Sequence, residues 1–498
     1  MLAMLLALAL VLGGCMLREQ EPAVEAAELT LPQPSAEAQN QFLGETSMTR
    51  TASVTLHYAA ADGAGFSTVT RSLRVESSES LLDAAVNALL QPSTDRDAAY
   101  FTIRDTQLLS TEFACGTATV NLSIDARSAQ SEQELLALVA SVGNTLLEID
   151  GVNAVNVLVG GQSERFAGLP FGVQTEPVTS VTAAYAQLQT EQDQLRTGSS
   201  AGISRWALLY FPSDDGRWLV PEPRRISSAD GSFADSLLEA LGKGPQLESC
   251  AIPVLPEGME LLNGAPTLST LSTGEHLVTL NFSSTLTNYL AFSGLSIGEL
   301  LGSLSLTCLS FLPEADAVRV EINGAPIEIS ENSIFPKGLI RRSDFSNHIG
   351  SAVTLYLADD AGMLEPLQRA VSKRSALSAR SLLTELFRYA NATEGSLRFP
   401  VPEPMYEDDV LGVQIAGHTA TVNLSANFYR ACQSLSAQDE RCVVYAMVNT
   451  LCTLRDVRAV RFYVEGVAAE TLAGNIYLRS PLMPNPGLIA ESAGSPEG

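Results

Sequence analysis

One short pattern occurs three times along the chain, and its spacing limits the folds that the chain can adopt. A short apolar strand ends in the same way at three places: Val-Asn-Leu-Ser at 120–123, Leu-Asn-Phe-Ser at 280–283 and Val-Asn-Leu-Ser at 422–425. A tyrosine-containing strand lies 63 to 71 residues before each asparagine, and a strand ending at glycine lies 39 to 43 residues after it. A unit of this length is too long for a solenoid repeat and has the size of a small domain. The sequence therefore predicts three tandem copies of one domain.

Each copy contains the same order of predicted elements. A strand pair precedes a helix, a second hairpin, a longer helix and a final strand with alternating apolar residues. The helices are predicted at 81–90 and 132–148 in repeat 1, at 233–241 and 297–311 in repeat 2, and at 379–389 and 439–454 in repeat 3. Two helices on one face of a mostly antiparallel sheet form a sandwich. The predicted fold class is α+β, with three tandem small α/β sandwich domains.

The start of the chain carries the strongest short motif. Residues 1–14 are almost wholly apolar, and the run stops at Leu12-Gly13-Gly14-Cys15. Such a run is too short to cross a hydrocarbon core of about 30 Å as a helix, but it is typical of a signal peptide. Small residues before a cysteine resemble a bacterial lipobox, which implies lipidation of Cys15 and removal of residues 1–14. The alternative is an ordinary signal peptide followed by a chance cysteine.

Composition shifts predict the boundaries between the domains. The predicted segments are a lipoprotein signal peptide at 1–15, a flexible tether at 16–50, repeat 1 at 51–166, a linker at 167–203, repeat 2 at 204–329, a linker at 330–349, repeat 3 at 350–472 and a C-terminal tail at 473–498. The tether is rich in Glu, Ala, Pro, Gln and Ser, a composition that favours disorder. Within the first linker, residues 183–194 are predicted to form one polar helix.

The charge and the cysteines restrict the classes of ligand. The formal net charge is −26, and such an acidic surface repels nucleic acid, so no nucleic-acid partner is expected. The six cysteines after Cys15 show no zinc-site spacing, and buried free thiols are favoured over disulfides. No cofactor is expected.

One catalytic pattern is present. Gly294-Leu295-Ser296-Ile297-Gly298 has the spacing of a hydrolase nucleophile elbow, which requires a strand running into the turn. Ser296 and Glu299 also match a capping box in front of an apolar helix. Repeats 1 and 3 have Ser131 and Ser436 at the same helix start, without the glycines. The shared feature is the cap, so we expect Ser296 to begin a helix, and no catalytic residue is assigned.

Other polar residues give weaker signals. The four histidines do not recur at equivalent positions, so a histidine-based site is not expected. Aspartates near 62, 214 and 359 lie in turns and lack the alternating ligands of a calcium loop, so no metal is assigned. The recurring Asn121, Asn281 and Asn423 are expected to bond to backbone at the strand end rather than to a ligand.

These residues together resemble the GerMN domain found in spore germination and sporulation lipoproteins of the GerM type. The matching motifs are the opening strand with its Asp-Gly turn, the Leu-Leu-Glu-Ala-Leu-Gly-Lys-Gly-Pro at 237–245, the repeated Asn strand and the Asn-Thr-Leu at 144–146 and 449–451. Repeat 2 reads Leu-Thr-Cys-Leu at 306–309 instead. The resemblance covers residues 50–165, 204–328 and 350–470. It implies non-catalytic, extracytoplasmic modules akin to ring-building motifs.

The combined expectation is a non-enzymatic lipoprotein held by Cys15 on the extracytoplasmic face of the cell membrane. It would act as a protein-interaction or scaffold module, with a role in sporulation or spore germination implied by the resemblance. The expected partners are the membrane, through the lipid, and other cell-envelope or sporulation proteins, and a homo-oligomer is left open. The alternatives are a lipoprotein that captures a peptide or glycan and, less favoured, a serine hydrolase that uses Ser296.

Overall fold

The computed structural model describes residues 50–490, with gaps at 61, 76–80, 92–104, 199–201, 248, 314, 328–337, 377, 392–396 and 455–456. The predicted signal peptide with Cys15 and the predicted tether to residue 49 lie outside the described residues.

Three copies of one arrangement follow each other along the chain. Repeat 1 contains β1 (Arg50–Ala59), β2 (Phe66–Val75), α1 (Leu81–Leu90), β3 (Leu108–Ala114), β4 (Thr117–Leu122), α2 (Glu132–Leu147), β5 (Ala154–Val159) and β6 (Gln162–Ser163). The connector contains β7 (Arg165–Phe166), β8 (Leu169–Pro170) and α3 (Val181–Thr197). The helix α3 extends beyond both ends of the predicted 183–194 because Ser180 caps its start and Gly198 ends it in the left-handed conformation.

The second and third repeats have the same elements with an additional helix after the central strand, and the third has a further short helix after its first hairpin. Repeat 2 contains β9 (Ile203–Pro212), β10 (Leu219–Ser228), α4 (Ala234–Gly242), β11 (Thr267–Thr270), β12 (His276–Phe282), α5 (Thr285–Ser293), α6 (Ile297–Phe311), β13 (Ala317–Ile322) and β14 (Ala325–Pro326). The short helix α7 (Arg342–Phe345) precedes repeat 3. Repeat 3 contains β15 (Gly350–Ala358), β16 (Leu364–Ser372), α8 (Lys373–Ala376), α9 (Ala379–Asn391), β17 (Val410–Ala416), β18 (Thr419–Leu424), α10 (Ala426–Cys432), α11 (Ala437–Leu451), β19 (Ala459–Val464) and β20 (Val467–Ala468).

Each repeat is built from two sheets. The first two strands form an antiparallel hairpin of their own. The other four form a sheet in which only the pair on either side of the long helix is parallel: β4 with β5, β12 with β13, and β18 with β19. The long helix makes this crossover, which a parallel pair requires. The predicted α+β class with mostly antiparallel sheets is confirmed.

A threonine on each long helix joins the helix to the edge of the first hairpin. Thr145, Thr307 and Thr450 are fully buried. Their hydroxyl oxygens accept hydrogen bonds from the backbone N–H groups of His57, Tyr210 and Tyr356, each at 3.0 Å. A buried edge N–H without a partner costs free energy. These threonines belong to the Asn-Thr-Leu motif and its Leu-Thr-Cys-Leu counterpart, which therefore have a structural role.

Residues beyond each final strand complete the repeat. Gln174, Ile340 and Leu482 form antiparallel bridges to Val155, Val318 and Val460 respectively. These three residues fall in segments that the sequence analysis assigned to linkers and tail. The fully buried carboxylate of Glu440 also accepts backbone N–H groups from Leu472, Ala473 and Asn475 at 2.7–2.9 Å. Each repeat thus includes a trailing segment that shows no periodic pattern in the sequence.

The apolar residues form two main cores. One cluster runs continuously through repeats 1 and 2, whereas repeat 3 has its own cluster. Among the described residues, no single helix has the length and apolar composition to cross a membrane; only α5 and α6 counted together across a 119° bend meet that criterion.

The threonine bond to the hairpin edge gives a prediction for stability. Thr307→Val keeps the shape of the side chain but leaves the buried N–H of Tyr210 without its acceptor. We expect the free energy of unfolding to fall by about 1–3 kcal/mol. Urea unfolding followed by tryptophan fluorescence measures this change directly, because both tryptophans of the chain, Trp206 and Trp218, lie in repeat 2.

The matched control is Thr190→Val on the exposed face of α3, where the hydroxyl donates to the carbonyl of Ala186. This change has the same effect on helix propensity and should alter stability by less than about 0.5 kcal/mol. Equal losses in the two variants would contradict the role assigned to Thr307.

Candidate functional site

The outer face of the central sheet of repeat 1 is buried between repeats. Thr117, Thr119 and Asn156 point away from the helix and are only 2%, 5% and 1% exposed. The strand β10 of repeat 2 contacts β4, while β15 and α8 of repeat 3 contact β3. A polar sheet face that would normally meet water is therefore the place where the three repeats come together.

A buried arginine lies at the centre of this junction. The guanidinium of Arg342 donates hydrogen bonds to Glu112 of repeat 1 at 2.9 Å, and to Ser310 and the hydroxyl of Tyr210 in repeat 2 at 2.7 and 3.1 Å. Lys373 of repeat 3 lies 3.4 Å from the other carboxylate oxygen of Glu112. Burial lowers the pKa of Arg342, but Tyr210 and Glu112 outweigh it and the net shift is upward. One carboxylate thus connects all three repeats.

Repeat 3 makes a second set of contacts at this junction. The backbone N–H of Cys115 donates to the hydroxyl of Ser351 at 3.0 Å, and the N–H of Ala352 donates to the sulfur of Cys115 at 3.2 Å. Arg369 forms an ion pair with Asp214 of repeat 2 at 2.6 Å. Bonds from repeat 3 to both other repeats hold it at a defined position despite its separate core.

The same junction borders an open polar cavity of about 370 Å³. Its walls come from β3, β4 and the turn after β5 in repeat 1, from the end of α6 and the residues that follow it in repeat 2, and from the segment 341–346. Glu112, Asn121, Asp316, Arg341 and Arg342 are among the lining residues. The cavity therefore requires repeats 1 and 2 and the segment that follows repeat 2.

The recurring asparagines hold the ends of the parallel strands. The side-chain oxygens of Asn121, Asn281 and Asn423 accept backbone N–H groups from the glycines after the final strands, at 2.8, 3.0 and 2.8 Å. The predicted bond to backbone is confirmed. In repeats 2 and 3 the bonded glycine is the one that ends the final strand, and in repeat 1 it is Gly161, one residue later. In repeat 1, Asn121 also lines the cavity.

Ser296 begins a helix, as predicted. Its hydroxyl accepts the N–H of Glu299 at 3.2 Å, and its own N–H donates to the Glu299 carboxylate at 2.6 Å. The hydroxyls of Ser131 and Ser436 likewise accept the N–H groups of Glu134 and Asp439 at the starts of α2 and α11, without the reciprocal bond from their own N–H to the carboxylate. The element before Ser296 is the helix α5, which ends at Gly294 in the left-handed conformation. A nucleophile elbow needs a strand at that point, so the hydrolase geometry is absent from this described segment.

His57, His276 and the turns at Asp62 and Asp359 have local partners, whereas the turn at Asp214 reaches repeat 3 through Arg369. The Nε2 of His57 lies 3.4 Å from Glu148, and burial lowers the pKa of His57 although Glu148 opposes that shift. His276 lies beside Asp316, whose carboxylate borders the cavity. Asp62 and Asp359 accept backbone N–H groups within their own turns. Within the described ranges, no group of three or more His, Cys, Asp or Glu is placed to hold a metal ion.

The six described cysteines are free thiols, as predicted. Burial raises the pKa of Cys115 and Cys452 to about 11, and that of Cys250 and Cys308 to about 12. Since the thiolate is the reactive form, these side chains are poor nucleophiles and metal ligands at neutral pH.

The sequence analysis did not identify the residues of the junction. Glu112 and Arg342 are 230 positions apart, and no local pattern links them. The adjacent arginines Arg341-Arg342 do not single out the junction either, because Arg224-Arg225 is a second such pair.

The buried ion pair predicts a large effect of charge removal. Glu112→Gln leaves the Arg342 guanidinium buried without its counter-charge, which should lower the free energy of unfolding by about 3–5 kcal/mol. The double variant Glu112→Gln/Arg342→Met removes both charges and should recover much of that loss. Denaturant unfolding of the four members of this double-mutant cycle measures the coupling. Additive losses would contradict a direct pair, and Glu239→Gln, in an exposed pair with Lys243, is the control.

Comparisons with known proteins agree with the repeat structure. The profile of the Germane family, described as sporulation and spore germination, matches residues 55–165, 208–328 and 354–470. A comparison with curated proteins gives no match.

Two solved structures are similar at low identity. The tandem GerMN domains of the sporulation protein GerM from Bacillus subtilis are 17% identical, with 58% of this chain and 100% of that chain covered and a TM-score of 0.24. A candidate lipoprotein from Clostridium perfringens is 17% identical, with 27% and 87% covered and a TM-score of 0.19. With TM-scores below 0.5, neither likeness supports a conclusion about function. The three family matches cover well over half of the chain, which therefore belongs to the Germane family of sporulation and spore germination proteins and carries three tandem copies of its domain.

Proposed function

We propose that the protein is a non-enzymatic lipoprotein, anchored on the extracytoplasmic face of the cell membrane, that acts as a protein-interaction module in spore formation or germination. One observation carries the interaction role. The outer face of the central sheet binds neighbouring repeats in repeat 1, whereas the equivalent residues of repeat 3 (Thr419, Thr421, Arg461 and Tyr463) are only half-buried. The sheet face that binds other repeats in repeat 1 is therefore accessible to a separate partner protein in repeat 3.

The chemistry of this open face favours an acidic partner. Thr421 lies opposite Arg461, and Asn423 lies opposite Tyr463 in the parallel pair of β18 and β19. These two strands contain no Asp or Glu, although the chain has a net charge of −26. Charge complementarity therefore points to an acidic surface on another envelope protein.

A pull-down with matched charge reversals tests this proposal. The lipidated wild-type protein should be crosslinked to the same envelope protein in repeated preparations from its native membrane. Arg461→Glu should reduce recovery of that protein at least about tenfold, because the variant presents a negative charge to an acidic partner. The control is Arg196→Glu on α3, where the side chain is 71% exposed; it should leave recovery unchanged.

Equal recovery with both variants would overturn the docking face. Recovery of the chain itself as the crosslinked partner, with light scattering that shows a larger assembly, would identify the acidic surface as that of a second copy. A deletion strain with normal spore assembly and germination would contradict the proposed role in spores.

The membrane anchor gives a separate prediction. Cys15→Ser removes the thiol that would carry the acyl chains, so the protein should move from the membrane fraction to the soluble extracytoplasmic fraction and lose labelling by a palmitate analogue. The control is Cys452→Ser, which changes a partly buried cysteine far along the chain and should keep both properties. Unchanged membrane association of the Cys15 variant would contradict the lipoprotein assignment.

A further inference from the structure

We infer that the cavity at the junction of the repeats binds a short neutral saccharide. This inference goes beyond the proposed interaction role and does not depend on it.

Each charged side chain that lines the cavity already has hydrogen-bond partners. Glu112 binds Arg342, and Arg341 makes two bonds to Glu275 at 2.9 and 3.0 Å. One carboxylate oxygen of Asp316 accepts the side-chain amide of Gln162, and the other accepts the backbone N–H of His276 at 2.7 Å. A charged ligand would have to compete with these contacts, and the pair of Glu112 and Arg342, whose side chains are only 16% and 14% exposed, is costly to break. The cavity therefore favours a ligand without net charge.

The remaining polar groups are neutral and can both donate and accept. The side-chain hydroxyls of Ser110, Thr119 and Ser343 line the cavity, and among the described residues none of them has a hydrogen-bond partner. The amide nitrogen of Asn121 is available in the same way, since only the oxygen of that side chain is bonded, to Gly161. Hydroxyl and amide groups of this kind match the hydroxyls of a sugar, each of which donates one bond and accepts others.

The surface that a ligand meets in the cavity is mainly polar. Leu158, Leu309 and Ala315 belong to the same wall but are at most 2% exposed, so they lie behind the polar side chains. The ring hydroxyls of a sugar can reach these polar side chains. Small-molecule sites range from about 300 to 1,000 Å³, so a cavity of about 370 Å³ accommodates one or two sugar rings.

Isothermal titration of the full chain with N,N′-diacetylchitobiose and with cellobiose tests the inference. At least one sugar should bind saturably with a Kd below about 1 mM. Stronger binding of diacetylchitobiose would show that the acetamido groups are recognised, and equal binding would show that the ring and its hydroxyls suffice; both results support a neutral saccharide. The same titration with glucose 6-phosphate provides a charged ligand of similar size.

Two variants connect binding with this cavity. Thr119→Val removes one hydroxyl without a change of shape and should weaken binding about fivefold or more. Ser110→Trp places a large side chain at an exposed lining position and should abolish binding. The matched controls are Thr70→Val and Ser72→Trp on the exposed face of β2, which should bind as wild type. Circular dichroism establishes that each variant is folded.

Three results would overturn the inference. The first is that neither neutral sugar binds saturably. The second is that glucose 6-phosphate binds more tightly than both neutral sugars. The third is that the folded Ser110→Trp variant binds the sugar as tightly as the wild type.

Discussion

The architecture of each repeat depends on how the exposed edge of its first hairpin is satisfied. That hairpin shares no strand with the central sheet, so its edge N–H groups need partners from elsewhere. The long helix supplies them through a buried threonine at the same place in all three repeats: Thr145, Thr307 and Thr450. The helix packs against the hairpin on one side and makes the parallel crossover of the central sheet on the other. In repeats 1 and 2 a serine of the same helix adds a second bond to the hairpin strand, from Ala59 to Ser141 and from Ser303 to Tyr210. These bonds contribute to the relative position of the two sheets.

Assembly of the repeats follows a different principle from the folding of each one. Repeats 1 and 2 merge their apolar residues, whereas repeat 3 contacts its neighbours through the ion pairs of Lys373 and Arg369 and the small apolar cluster around Val220, Cys250 and Ala370. Buried polar contacts specify geometry more strongly than they add stability. The outer face of the repeat 1 sheet is polar, which is consistent with this arrangement. It offers hydrogen-bond donors and acceptors to the neighbouring repeats, which an apolar face would lack. The cavity is a consequence of the same polar packing.

Much of the fold could be predicted from the sequence because it is encoded in local periodicity. The helix at 297–311 was predicted with the bounds observed, since Ser296 marks its start and an apolar stripe extends to Phe311. The trailing strand-like residues Gln174, Ile340 and Leu482 were not predicted, because a single bridge leaves no period to detect. The junction was missed for the same kind of reason: Glu112 and Arg342 meet only after the tertiary structure has formed. The motif residues that the sequence emphasised, the recurring Asn and Thr, proved to hold the fold, while the cavity is lined largely by residues outside any motif.

The division into two cores has a mechanical consequence. A pulling force applied between residue 50 and residue 490 acts first on the boundary that can separate with the least exposure of apolar surface. That boundary lies between repeat 3 and repeats 1 and 2. A few ion pairs and the small apolar cluster around Val220, Cys250 and Ala370 hold it together. Repeats 1 and 2 cannot part without opening their common interior. Under tension, repeat 3 should therefore separate from repeats 1 and 2 while it is still folded. The three repeats are thus mechanically unequal, and the boundary before repeat 3 opens first.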